Sequence, residues 1–183
     1  VRAVVLTGEG KSFSAGADLN WMKAQFDASR AERIAEATAL ARMLKALNEL
    51  PKPLIGRING QAFGGGLGLI SVCDVAVASQ GARFAFTEVR LGLIPATISP
   101  FVAARMGETR ARRVFMSGRM FGAAEAVTLG LVDKAVDTDA LDAAVEAEVA
   151  PYLDCVASAL GRSKALLRAL GPVIDEAVVA RTA

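Results

Sequence analysis

The stretch Ile58-Asn-Gly-Gln-Ala-Phe-Gly-Gly-Gly-Leu-Gly-Leu-Ile-Ser-Val-Cys-Asp74 constrains this chain more than any other. Before it, Pro53-Leu-Ile-Gly-Arg-Ile58 is a short β-prone run. After Gly66, the residues Leu67, Leu69, Ile70, Val72 and Cys73 are apolar nearly all round, so the segment reads as a strand turning into a fully buried helix. The glycines Gly64, Gly65 and Gly66 at the junction can take backbone angles that a Cβ forbids, and they let another backbone or a ligand approach closely. The first amides of such a helix have no intrahelical partners and sit at the positive end of the helix dipole. The turn is therefore either a tight packing device or a site for negative charge, in a phosphate or in a transition-state oxyanion.

Two phosphate-binding patterns fail on inspection. A P-loop needs Gly-Lys-Ser/Thr after its spacer, but here Gly65 is followed by Gly66 and Leu67. A Gly-x-Gly-x-x-Gly fingerprint started at Gly64 meets Leu69, and started at Gly66 meets Ser71.

Composition narrows the chemistry further. With 183 residues, 53% hydrophobic and 22% charged, the chain reads as one compact domain, 1–183. A net charge of +2 and 5% aromatics give no nucleic-acid footprint. No window holds eighteen uninterrupted apolar residues, and Val1 to Thr7 is no signal peptide, so neither a membrane nor an export role is expected and the cytoplasm is the expected compartment. There is no histidine, which excludes Ser-His-Asp and Cys-His nucleophiles and imidazole acid-base chemistry. Proton transfer must rely on carboxylates, Lys, Tyr, Cys or water. Cys73 and Cys155 each lie among apolar residues and read as reduced core thiols rather than a disulfide or metal site.

In chain order, Val1 to Thr7 reads as a buried parallel strand. Ser14 to Asp18 reads as a small-residue turn with Asp18 as helix N-cap, and Arg30 to Leu50 as an amphipathic helix stopped by Pro51. Strands are expected at 74–78, 82–86 and 131–136. Helices are expected at 99–106, 110–117, 122–129, 139–153 and 163–170, with a resumption at 173–179. The alternation implies an α/β architecture with helices covering the sheet faces. Arg110, Arg112 and Arg113 read as a solvated face or a subunit contact in preference to a phosphate site.

Three motifs then share one explanation. Ser14-Ala-Gly-Ala-Asp18, Gly64-Gly-Gly66 and Thr87-Glu-Val-Arg-Leu-Gly-Leu-Ile-Pro95 stand in the order and spacing of the crotonase superfamily, which the chain resembles over essentially its whole length. The resemblance implies a spiral of ββα units, an acyl-CoA thioester substrate and a homotrimer or dimer of trimers. It also implies an oxyanion hole formed by the N–H groups of Ala17 and Gly65. By the same carry-over Glu88 is the catalytic glutamate, and Ala15, Asp18, Leu19, Gly64, Arg90 and Pro95 contact or support the substrate. No cofactor beyond the CoA of the substrate is implied, and no metal. The family usually has further segments before Val1 and after Ala183, so the domain is expected to be partial at both ends.

One position departs from the family. Hydratases of the superfamily commonly carry a second glutamate where this chain has Gly68. A single carboxylate can still take a proton from water and return one to the α-carbon, but the Δ3,Δ2-enoyl-CoA isomerases also use one glutamate and are the rival reading. A CoA-binding module without catalysis is a third. Gly16 to Met22, Gly66 to Ser71 and Glu88 to Val102 look most like the hydratases of methylglutaconyl-CoA and γ-carboxygeranoyl-CoA. For such substrates Arg90, Arg83 or Arg105 would pair with the distal carboxylate, or Thr97 and Ser99 would offer neutral hydrogen bonds.

Overall fold

The computed structural model describes residues 1–18, 20, 21, 24 and 27–183. It is an α/β spiral in which successive strand pairs contribute one strand to each of two sheets. In the first sheet β1 (Val4–Thr7), β3 (Leu54–Ile58), β5 (Val75–Ser79) and β8 (Lys134–Val136) stand in the order β1-β3-β5-β8, all parallel. In the second, β2 (Ser12–Ser14), β4 (Gln61–Phe63), β6 (Arg83–Ala85) and β7 (Phe121–Gly122) stand in the order β2-β4-β6-β7, with only the last pair antiparallel. The first three turns of the spiral thus run from a strand of the first sheet, through a tight loop, to a strand of the second, and the last reverses the order, passing from β7 through a helix to β8.

Period-2 alternation assigns the faces of the first sheet. From β3, Leu54 and Ile58 enter the main core with Leu67, Ile70, Phe84 and Phe86, while Ile55 and Val77 face Leu141 and Val145 of helix α6 (Leu141–Leu153). Arg57 on that second face pairs with Asp142 in the first turn of α6. Burying each large apolar side chain contributes about 1.5–3 kcal/mol. β1 is the edge strand, and α6 packs on β3 and β5 rather than on it, so Val5 is 44% exposed. The expectation of a buried strand at Val1 to Thr7 holds for its parallel pairing and fails for one of its faces.

Helix α1 (Arg30–Asn48) opens with a capping box: the Ser29 hydroxyl accepts the Glu32 N–H, and the Glu32 carboxylate accepts the Ser29 N–H at 2.8 Å. Of its apolar stripe only Ala41 and Leu44 are fully buried, and Ile34 is 39% exposed. The buried helix after the glycines is α2 (Gly65–Ser71). It packs on α3 (Ser99–Met106), which is followed by α4 (Glu108–Phe115) and α5 (Ala123–Thr128). The C-terminal helices are α7 (Ala157–Leu170), which begins six residues before its expected start, and α8 (Glu176–Thr182).

Burial and pairing sort the remaining expectations. Cys73 is buried, and burial pushes its thiol up to about 12, but Cys155 is exposed, so only the first is a core thiol. Arg112 pairs with Glu108 and Arg113 approaches Glu125 at 4.0 Å, both on the surface. No helix among the described residues is long and apolar enough to cross a membrane.

Candidate active site

Local backbone requirements place the site. Gly64 caps α2 with φ 51° and ψ −119°, a conformation that strongly favours glycine. Its N–H donates to the Ala85 carbonyl, which ties the turn to β6. The next amide, Gly65, is the first of the helix, and among the described residues neither it nor the Ala17 amide has a hydrogen-bond partner. Space beside Gly65 is open: a Cβ there would meet nothing within 4 Å.

Glu88 begins a short 3-10 turn, Glu88–Leu91, that follows β6. Its side chain reaches back to the glycine turn, so that a Cβ on Gly64 would lie 3.0 Å from Glu88 Oε1. The other carboxylate oxygen, Oε2, is buried with no partner among the described residues. Burial pushes the Glu88 carboxyl above the usual carboxylate range, against a smaller opposing pull from a backbone hydrogen bond. A half-buried carboxylate with one oxygen unsatisfied is costly to keep as structure, and it is the state a proton carrier needs.

The turn at Ser14 to Asp18 arrives from the other side. Gly16 has φ 99°, and a Cβ on it would stand 3.5 Å from the Phe63 carbonyl oxygen, so this turn lies directly against the glycine turn. Asp18 is the expected N-cap: its Oδ1 accepts the N–H groups of Asn20 at 2.7 Å and Trp21 at 3.0 Å. Ala15 and Ala17 are exposed beside it. Leu19 lies outside the described residues. The structure therefore brings together Ala15, Gly16, Ala17, Gly64, Gly65 and Glu88, which are far apart in sequence.

The remaining candidates separate. Pro95 is buried in the loop leading to α3, and Arg90 is exposed, with its stem packed over Gly118. Arg105 is committed to structure: it donates to the carbonyls of Cys73 and Leu131 and pairs with Asp133, its side chain only 12% exposed. Arg83 donates to the carbonyls of Gly81 and Ala82. The hydroxyls of Thr97 and Ser99 donate to the carbonyls of Thr182 and Ala96. Of the groups expected to meet a distal carboxylate, only Arg90 is uncommitted among the described residues.

Gly68 is closed to any side chain. A Cβ there would lie 2.6 Å from Ile98 Cγ2 and 3.0 Å from Ile98 Cβ, with Leu44 Cδ1 at 3.4 Å. Apolar packing occupies the place where a second carboxylate would begin.

The sequence pattern pointed to no site role for Asn59, Gly8 or Gly60. The Asn59 carboxamide accepts the Gly8 N–H at 3.1 Å and donates to the Gly10 carbonyl at 3.0 Å, clamping the β1–β2 and β3–β4 loops together. A Cβ on Gly60 would sit 2.0 Å from the Lys11 carbonyl oxygen, so those loops touch backbone to backbone. A groove of about 890 Å³ lined by Lys45, Tyr152, Lys164, Leu167 and Arg168 lies elsewhere, and none of the described site residues borders it.

A spiral of paired strands that sets two amides, unpartnered among the described residues, and a half-buried carboxylate around one glycine turn belongs to a class of α/β proteins whose geometry can hold a developing negative charge beside a carboxylate. Within that class, the sequence matches the enoyl-CoA hydratase/isomerase family over residues 1–162, and the chain belongs to that family. A Thermus thermophilus relative carrying an enoyl-CoA hydratase name is 40% identical over 134 residues, 73% of this chain and 53% of its own length. Enoyl-CoA hydratase ACTT6 of Alternaria alternata is 38% identical over 78% of this chain and 46% of its own. The chain thus spans about half the length of these curated relatives. Among solved structures, an enoyl-CoA hydratase from Shewanella pealeana superimposes with a TM-score of 0.89 at 40% identity, over 99% of this chain and 68% of that one.

Proposed function

We propose that this chain carries the catalytic site of an acyl-CoA hydratase that adds water to a conjugated enoyl thioester. The observation that carries the reading is the buried Oε2 of Glu88, unpartnered among the described residues, with Oε1 against Gly64. The amides of Ala17 and Gly65 would donate to the thioester carbonyl. Glu88 as carboxylate takes a proton from water as the water oxygen bonds to the β-carbon. The C=C electron pair moves into the enolate, and Glu88 returns the proton to the α-carbon. Each oxyanion donor is worth about 3 kcal/mol of barrier. The chemistry uses no metal and no cofactor beyond the CoA of the substrate.

Replacing Glu88 by Gln keeps the shape and removes the proton carrier, so hydration of crotonyl-CoA is expected to fall by about two to four orders of magnitude. Full activity in Glu88→Gln would remove the assignment. A CoA-binding module without catalysis would bind the thioester and leave its conjugation intact in the same assay.

The packing of Ile98 and Leu44 at Gly68 favours a second reading, Δ3,Δ2-enoyl-CoA isomerisation, which needs one carboxylate. There Glu88 removes a proton from the α-carbon and returns it to the γ-carbon. Assay of a conjugated and a β,γ-unsaturated ester in parallel separates the two. The finer substrate within the hydratase reading is a 3-methyl-branched, carboxylated enoyl-CoA of the methylglutaconyl type, supported by the uncommitted Arg90 two residues from Glu88. A cytoplasmic homotrimer or dimer of trimers belongs to the same reading.

A further inference from the structure

Ser14 stands between the two turns that hold the free amides. A Cβ on Gly66 would lie 2.7 Å from Ser14 Cβ and 2.9 Å from Ser14 Oγ, so the start of α2 rests directly on this side chain. The same hydroxyl oxygen accepts the Gly16 N–H at 3.4 Å, one residue before Ala17. Ladder pairing cannot set the turn on its own, because the β2–β4 register shifts between Ser12 and Ser14 and the strand ends at Ser14.

We propose that Ser14 is a positioning residue that fixes the separation of the Ala17 and Gly65 amides. Its methylene is the spacer against Gly66, and its hydroxyl hooks the Gly16 amide so that the following N–H points into the site. The proposal rests on the reading of Ala17 and Gly65 as donors to the thioester carbonyl. Donors set slightly apart from their ideal places bind the ground state almost as well and lose strength where charge develops. Ser14 therefore acts on turnover more than on binding.

The test uses the full-length protein with crotonyl-CoA. It reads kcat, KM and the displacement of the thioester carbonyl stretching band on binding, which follows the hydrogen bonding to that oxygen. Ser14→Ala is expected to lower kcat about tenfold with KM changed less than about twofold, and to reduce the band displacement. Gly66→Ala, which pushes the Ser14 side chain from the opposite side, is expected to reduce the same displacement. A displacement equal to the unsubstituted protein's in both variants overturns the proposal, whether or not activity falls, because a merely structural role would leave the carbonyl's environment unchanged. If the unsubstituted protein itself displaces no band, the donor reading of Ala17 and Gly65 fails, and the role of Ser14 fails with it.

Discussion

Glu88 has a buried oxygen without a partner among the described residues, and its other oxygen lies against Gly64, which has no side chain. Burial raises its folded-state pKa above the ordinary 4.5, so the folded protein binds a proton more tightly than the unfolded chain does. By linkage, stability is unaffected by this group below the unfolded value and decreases as pH rises from there to the raised folded value. Glu88→Gln is therefore expected to melt higher than the unsubstituted protein at neutral pH and equal to it at a pH below the ordinary carboxylate range. Thermal melts across pH check this, and equal melting points at neutral pH would show that the carboxylate carries no burial cost. The arginines divide in the same local terms. On the proposed pairing of Arg90 with a distal carboxylate, Arg90→Met is expected to lower kcat/KM about tenfold for a carboxylated enoyl-CoA and to leave crotonyl-CoA unchanged, since only the former would lose a charge-assisted contact. Arg105→Met leaves Asp133 with the Ala76 amide and takes a donor from two carbonyls, so it is expected to lower stability by about 1–3 kcal/mol, and with it activity on both substrates alike. Exposed and buried arginines look the same in a sequence, which is why Arg83, Arg90 and Arg105 were separable only once their partners were known.

At the scale of elements, α2 organises the site through its glycines. Gly64 admits Glu88, Gly66 admits Ser14 and Gly68 admits Ile98, so three segments converge on one short helix. The strand before it, the helix itself and the Asp18 cap were legible because apolar runs, glycine clusters and capping residues act locally. Strands Ser12–Ser14 and Gln61–Phe63 were not, since three residues show too little alternation to be told from a turn. The occupant of the Gly68 face was hidden for another reason: Ile98 reaches it by tertiary packing of α3 on α2. Gly68→Glu is accordingly expected to unfold at a markedly lower temperature, because its Cβ would overlap Ile98. Adding Ile98→Ala should recover part of that loss. Strict additivity of the two substitutions in thermal melts would show that they do not share this contact.

On the scale of the whole molecule, the spiral buries β3 and β5 deeply, and α7 is joined to it by polar clasps. Helix α7 has no fully buried residue and leaves Leu166, Leu167 and Leu170 more than half exposed. Arg168 pairs with Glu49, and the Lys164 ammonium donates to Asp74 at 2.8 Å and to the Lys52 carbonyl at 3.4 Å, with the lysine side chain only 13% exposed. Asp74 also accepts the Leu54 N–H at 2.7 Å, so one carboxylate joins α7 to the start of β3. The sequence pattern located a helix here but could not show this clasp, which pairs residues ninety positions apart. Lys164→Met removes the cation and leaves Asp74 with its backbone donor, a loss of about 1–3 kcal/mol that falls on the docking of α7. Amides of α7 are therefore expected to exchange hydrogen faster in the variant while those of β3 and β5 keep their protection. Glu88-dependent turnover should change little, because Lys164 lines the separate groove and the glycine turn is braced by β6 and Ser14. Exchange that quickens equally in α7 and in the central strands would mean that the clasp supports the spiral itself.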